Sequence, residues 1–379
     1  MTSRIEPFHA IAISLLAHKL RQEGESIIHM EFGQPSTGAP AKAIAAARAV
    51  LDSDPMGYWE SAPLKARISQ HYREQYGVDV SPGRILLTCG ASPALVLALT
   101  TAFVPGDRVA MARPGYVAYR NCLRALHMDG IELECSAPER FQITAAAIAD
   151  LDPAPQGVIV ASPANPTGTI IEPAELAAIA AVCRDRGIRI VSDEIYHGLS
   201  FGEPAQTMLR YAPDAIVINS FSKYFSMAGW RLGWIIVPDD LVDEARKRMG
   251  NMFLTPPSLS QHAALAAFDC REELDGHVET YRRNRELLLA ALPALGLGEI
   301  APPDGAFYIY ASVAHLTGDS LAFCKTMLVE TGVAAAPGVD FDPERGNRFV
   351  RFSFAVSTDL IEDAIERLRV WLPKQPLIS

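Results

Sequence analysis

Residues 220–233 read Ser-Phe-Ser-Lys-Tyr-Phe-Ser-Met-Ala-Gly-Trp-Arg-Leu-Gly, and they hold the residue types that carbonyl and phosphate chemistry need. Lys223 lies beside Ser220 and Ser222, with Arg231 eight positions further on. A β-branched run at 215–218 leads in and an apolar run at 232–237 leads out, so both flanks read as buried strands. A lysine at the end of a buried strand loses hydration, which lowers its pKa from ~10.4 and frees the amine to attack a carbonyl. Ser220, Ser222 and Arg231 are the donors a dianionic phosphate would need beside it. A surface lysine followed by an unrelated arginine fits the same letters.

Further capable residues stand just past other candidate strands. Thr88-Cys89-Gly90-Ala91-Ser92-Pro93 ends a strand and opens a helix; Ser92 suits the N-cap and Pro93 the first helical position. A helix start with free amides beside a glycine is an anion site, although a plain strand-to-helix turn has the same composition. Tyr116, in Arg113-Pro114-Gly115-Tyr116, is either a ring that stacks on a flat ligand or a core residue. In Ser162-Pro163-Ala164-Asn165-Pro166-Thr167-Gly168, two prolines flank Asn165, which either donates to a ligand oxygen or closes an Asx turn. Asp193 follows the strand at 188–191 and is either a helix cap or a buried carboxylate that holds a protonated ring nitrogen. Tyr196, three residues on, faces the same way on a helical turn and can donate to a ring hydroxyl. Residues 347–354 alternate as a strand with Phe349, Arg351 and Ser353 on one face, so Arg351 wants a carboxylate partner, structural or a substrate's. Each feature has an ordinary explanation by itself. One at nearly every strand end does not.

The elements that must position these residues follow from apolar periodicity. Strands are expected at 84–88, 108–112, 131–135, 157–161, 188–192, 215–219 and 232–237, alternating with helical segments. That alternation predicts an α/β domain with a mostly parallel seven-stranded sheet flanked by helices on both faces. Ligands of such sheets sit beyond the carboxyl ends of the strands, which makes Gly90, Asn165, Asp193 and Lys223 neighbours. The first thirty residues read as a helix and a short strand at 27–32 ending in Gly33-Gln34-Pro35, where glycine lets backbone approach a ligand. Helices are expected at 39–52 and 63–76, the latter stopped at Gly77, and a long one over 258–292. Strands at 305–311 and 347–354 with helices at 319–331 and 358–371 predict a second, smaller α+β domain. The expected division is 1–45 as N-terminal arm and part of the small domain, 46–285 as the large domain, and 286–379 as the C-terminal small domain. Gly296-Leu297-Gly298-Glu299-Ile300-Ala301 matches a loose dinucleotide pattern but follows a helix instead of a strand, and reads as a loop.

Composition narrows the partners. Of 379 residues, 49% are hydrophobic and 21% charged, ordinary for a soluble globular protein with a large core, and the net charge of −10 argues against nucleic acid. The six cysteines form no C-x-x-C pair and read as free thiols of a reducing compartment, so a cytoplasmic location is expected. The nine histidines are dispersed, so no metal site is expected. The apolar positions within 8–20 fit an amphipathic helix better than a signal peptide, and nothing approaches a membrane span.

Taken in order, Gly90-Ala91-Ser92, Pro114-Gly115-Tyr116, Asn165-Pro166-Thr167-Gly168, Ser192-Asp193-Glu194-Ile195-Tyr196, Ser220-Phe221-Ser222-Lys223, Gly229-Trp230-Arg231-Leu232-Gly233 and Arg351 resemble the class I/II aminotransferases, fold-type I enzymes that use pyridoxal 5′-phosphate. The likeness runs from about Gly33 to Arg351. It implies that Lys223 bonds the cofactor and then shuttles the substrate proton, that Asp193 pairs with the ring nitrogen, and that Asn165 and Tyr196 bond the phenolic oxygen. It implies that Tyr116 stacks on the ring, and that Ala91, Ser92, Ser220, Ser222 and Arg231 hold the phosphate. Arg351, helped by backbone at Gly33, is implied to take the substrate's α-carboxylate. Tyr58 is implied to reach the phosphate of a neighbouring subunit, hence a homodimer. Pro93 and Trp59-Glu60-Ser61-Ala62 depart from the usual family pattern near the cofactor and substrate region. The reaction so implied moves an amino group from an α-amino acid to a 2-oxo acid in two half-reactions. Two alternatives share much of the motif set: a carbon–sulfur β-lyase, and a non-catalytic cofactor-binding regulatory domain. The latter wants a DNA-binding module of some sixty or more residues, and none is read ahead of Ile27. Phe32, Tyr58, Trp59 and Phe253 are candidates for an apolar substrate pocket.

Overall fold

The computed structural model describes residues 5–378. Its strands are β1 (Ile28–Met30), β2 (Ile85–Thr88), β3 (Arg108–Arg113), β4 (Asp129–Glu134), β5 (Gly157–Ala161), β6 (Arg189–Asp193), β7 (Ile216–Ser220), β8 (Gly233–Ile236), β9 (Tyr308–Ser312), β10 (Val333–Pro337) and β11 (Phe349–Ser353). The expected seven strands form one sheet in the order β2-β8-β7-β6-β5-β3-β4. Its pairings from β7 through β4 are parallel, whereas β8 runs antiparallel to both β7 and β2. A parallel pair needs a crossover of a dozen or more residues, usually through a helix. Only a turn with a single 3-10 segment, Ala228–Trp230, joins β7 to β8, so the chain doubles back. The same turn carries Lys223 and Arg231, and the reversal leaves both at the carboxyl end of β7.

The sheet is covered on both faces, which is why its inner strands read as apolar runs, whereas the edge strand β4 is partly exposed and alternates. Along β7, Val217 packs with Trp234, Phe221 and Tyr72 on one face. Ile216 and Ile218 pack with Leu86, Met111 and the helix Ala91–Ala102 on the other. Each fully buried aliphatic side chain of this kind contributes about 1.5–3 kcal/mol.

The second sheet, β1-β10-β11-β9, recruits the N-terminal strand β1 in parallel to β10. β11 pairs antiparallel with β9 and β10, so Arg351 sits in an interior strand opposite Tyr310. The strand β10 was not expected. The helix expected over 258–292 is two helices, Ser258–Ala267 and Arg271–Ala294. The break at 268–270 turns Phe268 inward against Phe221 and Phe225, with ring centroids at 5.6 and 5.0 Å. The helix Ala62–Tyr76 starts on a Ser61 cap and stops at Gly77, whose φ of 67° is the left-handed turn expected there. Residues 296–301 form no helix, as the missing strand context required. Among the described residues, no helix is long and apolar enough to cross a membrane. No group of three or more metal-ligating side chains gathers among them either.

Candidate active site

Lys223 enters a cavity of about 240 Å³ beyond the carboxyl ends of β3, β5, β6 and β7. Ala91, Ser92, Tyr116, Asn165, Asp193, Tyr196, Ser222, Arg231, Gly33 and Arg351 line the same cavity, so most of the residues expected from sequence meet in space. Lys223 is the cavity's lysine, and its Nζ donates to the carbonyl of Gly33. Burial brings its pKa down to about 8, helped by the nearby Arg351 charge and opposed by Asp193. At pH 7 roughly one such amine in ten is unprotonated, against fewer than one in a thousand for an ordinary lysine.

Asp193, the last residue of β6, is held at both oxygens. Oδ1 accepts the amide of Ile195 at 3.1 Å and Oδ2 accepts the hydroxyl of Tyr119 at 2.6 Å. Burial raises its pKa, while Tyr119, the Ile195 amide and Lys223 pull it back. Asn165 is fixed by Arg351, whose Nη1 donates to Asn165 Oδ1 at 2.8 Å. An arginine can only donate, so the carbonyl end of Asn165 faces it and the NH₂ end is available to a ligand oxygen. Tyr196 lies on a turn after β6, and its hydroxyl meets that of Tyr308 at 2.6 Å. Tyr116 precedes the helix Val117–Ala125, edge-on to Tyr119 (5.6 Å, 90°) and to Phe8 (6.4 Å, 73°). Burial pushes the Tyr116 hydroxyl up to about 12, so its ring acts as an uncharged face.

At the opposite end, Arg351 is 1% exposed, donates Nη2 to the carbonyl of Glu31 at 2.6 Å, and rests on the faces of Tyr308 and Phe341. Its Nε is buried without a hydrogen-bond partner among the described residues. A Cβ at Gly33 would lie 2.0 Å from the Tyr308 hydroxyl, so only glycine allows this close approach of backbone to the cavity. Phe8 and Phe32 complete the apolar wall. Of the other aromatic candidates, Trp59 stacks on His262 and Phe253 packs toward the helix Ala91–Ala102, both outside this cavity.

The anion end differs from expectation in detail. The helix Ala91–Ala102 begins two residues earlier than a Ser92 cap requires, because Gly90 at φ 95° takes the cap position. Its early start puts the amides of Ala91 and Ser92 in the first turn, where intrahelical acceptors are lacking. A Cβ at Gly90 would lie 2.7 Å from the Arg231 guanidinium, so glycine there admits the arginine. Arg231, left-handed at φ 54°, anchors on the carbonyls of Ala228 and Cys89 and stays exposed. Ser222 lines the cavity, while Ser220 stands behind it, donating to the carbonyl of Leu232. Tyr58 is 84% exposed and does not line the cavity of its own chain. A second cavity of about 250 Å³ lies across the Lys223 turn among His71, Tyr224 and Phe268, but it contains no lysine.

The residues fit pyridoxal phosphate: an amine of lowered pKa, a carboxylate for a ring nitrogen, a donor pair for a phenolic oxygen, and a helix start with an arginine for a phosphate. Three contributors escaped the sequence reading, the first of them Phe8, which read only as part of an amphipathic helix and stands just ahead of it. Tyr119 was findable as the residue three after Tyr116, on the same side of a helix start. Tyr308 had no such signal, because it lies in an all-buried strand.

The chain is similar to known proteins over most of its length. The profile of the family "Aminotransferase class I and II" matches residues 26–368. A valine–pyruvate aminotransferase of Mycobacterium tuberculosis is 45% identical, over 98% of this chain and 97% of that protein. A crystal structure of an aminotransferase from Mycobacterium tuberculosis superposes with a TM-score of 0.97 at 45% identity, covering 99% of each chain. The aspartate aminotransferase of Thermus thermophilus with maleate gives a TM-score of 0.90 at 29% identity over 97% of each chain. This chain therefore belongs to the class I and II aminotransferases, with their fold-type I architecture.

Proposed function

We propose that this protein uses pyridoxal 5′-phosphate to move an amino group from an apolar α-amino acid to a 2-oxo acid, in two half-reactions. The observation that carries the reading is the sharing of one cavity by Lys223, Asp193 and Arg351, an amine, a carboxylate and a guanidinium with complementary tasks. The cofactor, when bound, supplies an aldehyde carbon and an electron-accepting ring. Lys223 holds the aldehyde and serves as the base that keeps the moved proton on Nζ. Asp193, ionised, keeps a positive charge on a ring nitrogen. Asn165 and Tyr196 orient the phenolic oxygen, and Tyr116 presses on the ring face. The amides of Ala91 and Ser92, with Ser222 and Arg231, receive the phosphate, and Ser220 supports Ser222 from behind. Arg351 grips the α-carboxylate with its fork.

An apolar side chain suits the wall of Phe8, Phe32 and Tyr116. The name of the Mycobacterium tuberculosis relative points to valine and pyruvate as the first pair to try. We take residues 46–285 as the large domain and 1–45 with 286–379 as the small one. The reading includes a homodimer, because Tyr58 projects outward where a partner's cavity can use it, and a cytoplasmic location, consistent with six free cysteines.

The test mixes holoenzyme with single amino acids and follows conversion of the cofactor to its pyridoxamine form. L-valine should convert it with stoichiometric appearance of the oxo acid, and pyruvate should reverse the change. Pyruvate and ammonia released from a cysteine-type substrate, with the cofactor unconverted, would support the lyase instead and overturn the reading.

A further inference from the structure

Tyr119 is the side chain that ties the two halves of the ring-binding wall together, and no role follows for it from the reading above. It lies on the helix Val117–Ala125, buried among Leu123, Ile159 and Val191, three residues after Tyr116. Its hydroxyl donates to Asp193 Oδ2 at 2.6 Å, and its ring stands at 90° to that of Tyr116, 5.6 Å away. With the Ile195 amide on Oδ1, the Tyr119 bond fixes the plane of the Asp193 carboxylate, and each oxygen keeps lone-pair capacity for the cavity. Burial and the neighbouring carboxylate hold the Tyr119 hydroxyl well above the usual phenol range, so it acts as a donor at any working pH.

We propose that Tyr119 is a positioning residue whose hydroxyl holds Asp193 ionised and in plane, so that the proton shared with a ring nitrogen stays on the nitrogen. This inference rests on the assignment of Asp193 to the cofactor made above. Hydrogen bonding to a carboxylate favours its charged form. The buried site works against that form, and the Lys223 charge offsets part of it. Once Lys223 is engaged elsewhere, Tyr119 and one backbone amide are the donors left to hold Asp193 negative. Loss of the hydroxyl makes Asp193 more basic, moves the shared proton toward it, and weakens the ring as an electron acceptor.

The experiment compares wild type, Tyr119→Phe and Asp193→Asn as holoenzymes. Tyr119→Phe should lower kcat for L-valine by roughly 10- to 100-fold, the usual cost of removing an outer hydrogen-bond partner, with KM within threefold because Arg351 is untouched. The midpoint of the holoenzyme's visible-band titration should move upward in the variant, because an uncharged ring no longer lowers the pKa of the linked nitrogen. Should Tyr119→Phe fold poorly, a fluorinated tyrosine placed at 119 keeps the ring and strengthens the donor, and it should move the midpoint downward. A wild-type kcat and an unmoved midpoint in Tyr119→Phe, with Asp193→Asn inactive, would overturn this inference alone. Near-normal turnover in Asp193→Asn would overturn the assignment beneath it.

Discussion

Replacing Arg351 by glutamine separates a gripping role from a structural one. Arg351 is enclosed in β11, with Nη1 on Asn165, Nη2 on the carbonyl of Glu31, and two aromatic faces around the guanidinium. Glutamine keeps an amide donor that can serve one of the two oxygens, so the protein should still fold. What it cannot keep is the positive fork for a carboxylate. Removing one partner of such a buried, hydrogen-bonded charge pair costs about 2–5 kcal/mol, roughly 30- to 4,000-fold in kcat/KM. The loss should appear equally for amino acid and oxo acid, because both carry the same carboxylate. A second, independent sign is available. Arg351 depresses the pKa of Lys223, so its removal should raise that pKa above about 8. Single-turnover kinetics of both half-reactions measure the first effect. The pH dependence of cofactor recombination with the apoenzyme measures the second. Affinity for both substrates within threefold of wild type would refute the carboxylate assignment and leave Arg351 a structural tie between β11, Glu31 and Asn165.

In the wild type, the rate of recombination should rise about tenfold per pH unit below the Lys223 pKa and level off near pH 8, since only the free amine attacks an aldehyde. A rate still climbing at pH 10 would mean that Lys223 is not desolvated. Phe8→Ala should raise KM for L-valine and L-leucine by about tenfold with kcat little changed, as expected for loss of apolar wall in a hydrophobic pocket. Steady-state kinetics showing equal KM values would remove Phe8 from the substrate contact.

The large sheet was legible because its inner strands are buried on both faces and read as apolar runs between helices; all seven of its strands, the partly exposed edge strand β4 included, appear within two residues of their expected starts. The residues just past β3, β5, β6 and β7 were legible for the same reason, since topology alone sends strand ends of an open sheet to one side. The antiparallel return of β8 was hidden, although the short link between Ser220 and Gly233 holds the physical reason. β10 escaped because Val333-Ala334-Ala335-Ala336-Pro337 offers one β-branched residue among alanines, which favour helices, and its pairing with β1 and β11 overrides that preference. The break after Ala267 escaped because Phe268 continues an apolar pattern, and only its packing on Phe221 and Phe225 makes the chain turn. Ser92 seemed a cap because its residue type suits one, yet Gly90 can adopt a backbone angle that starts the helix sooner. Tyr308 was invisible for a different reason. Its contacts with Tyr196 and Gly33 join segments more than a hundred residues apart, its contact with Arg351 crosses to another strand, and no local pattern encodes them.

Covalent trapping tests the central claim most directly. Holoenzyme reduced with borohydride, digested and mapped by mass spectrometry should carry the phosphopyridoxyl group on the peptide containing Lys223, and prior addition of L-valine should remove that label. A label on another lysine, or none at all in protein that has retained the cofactor, would contradict the account.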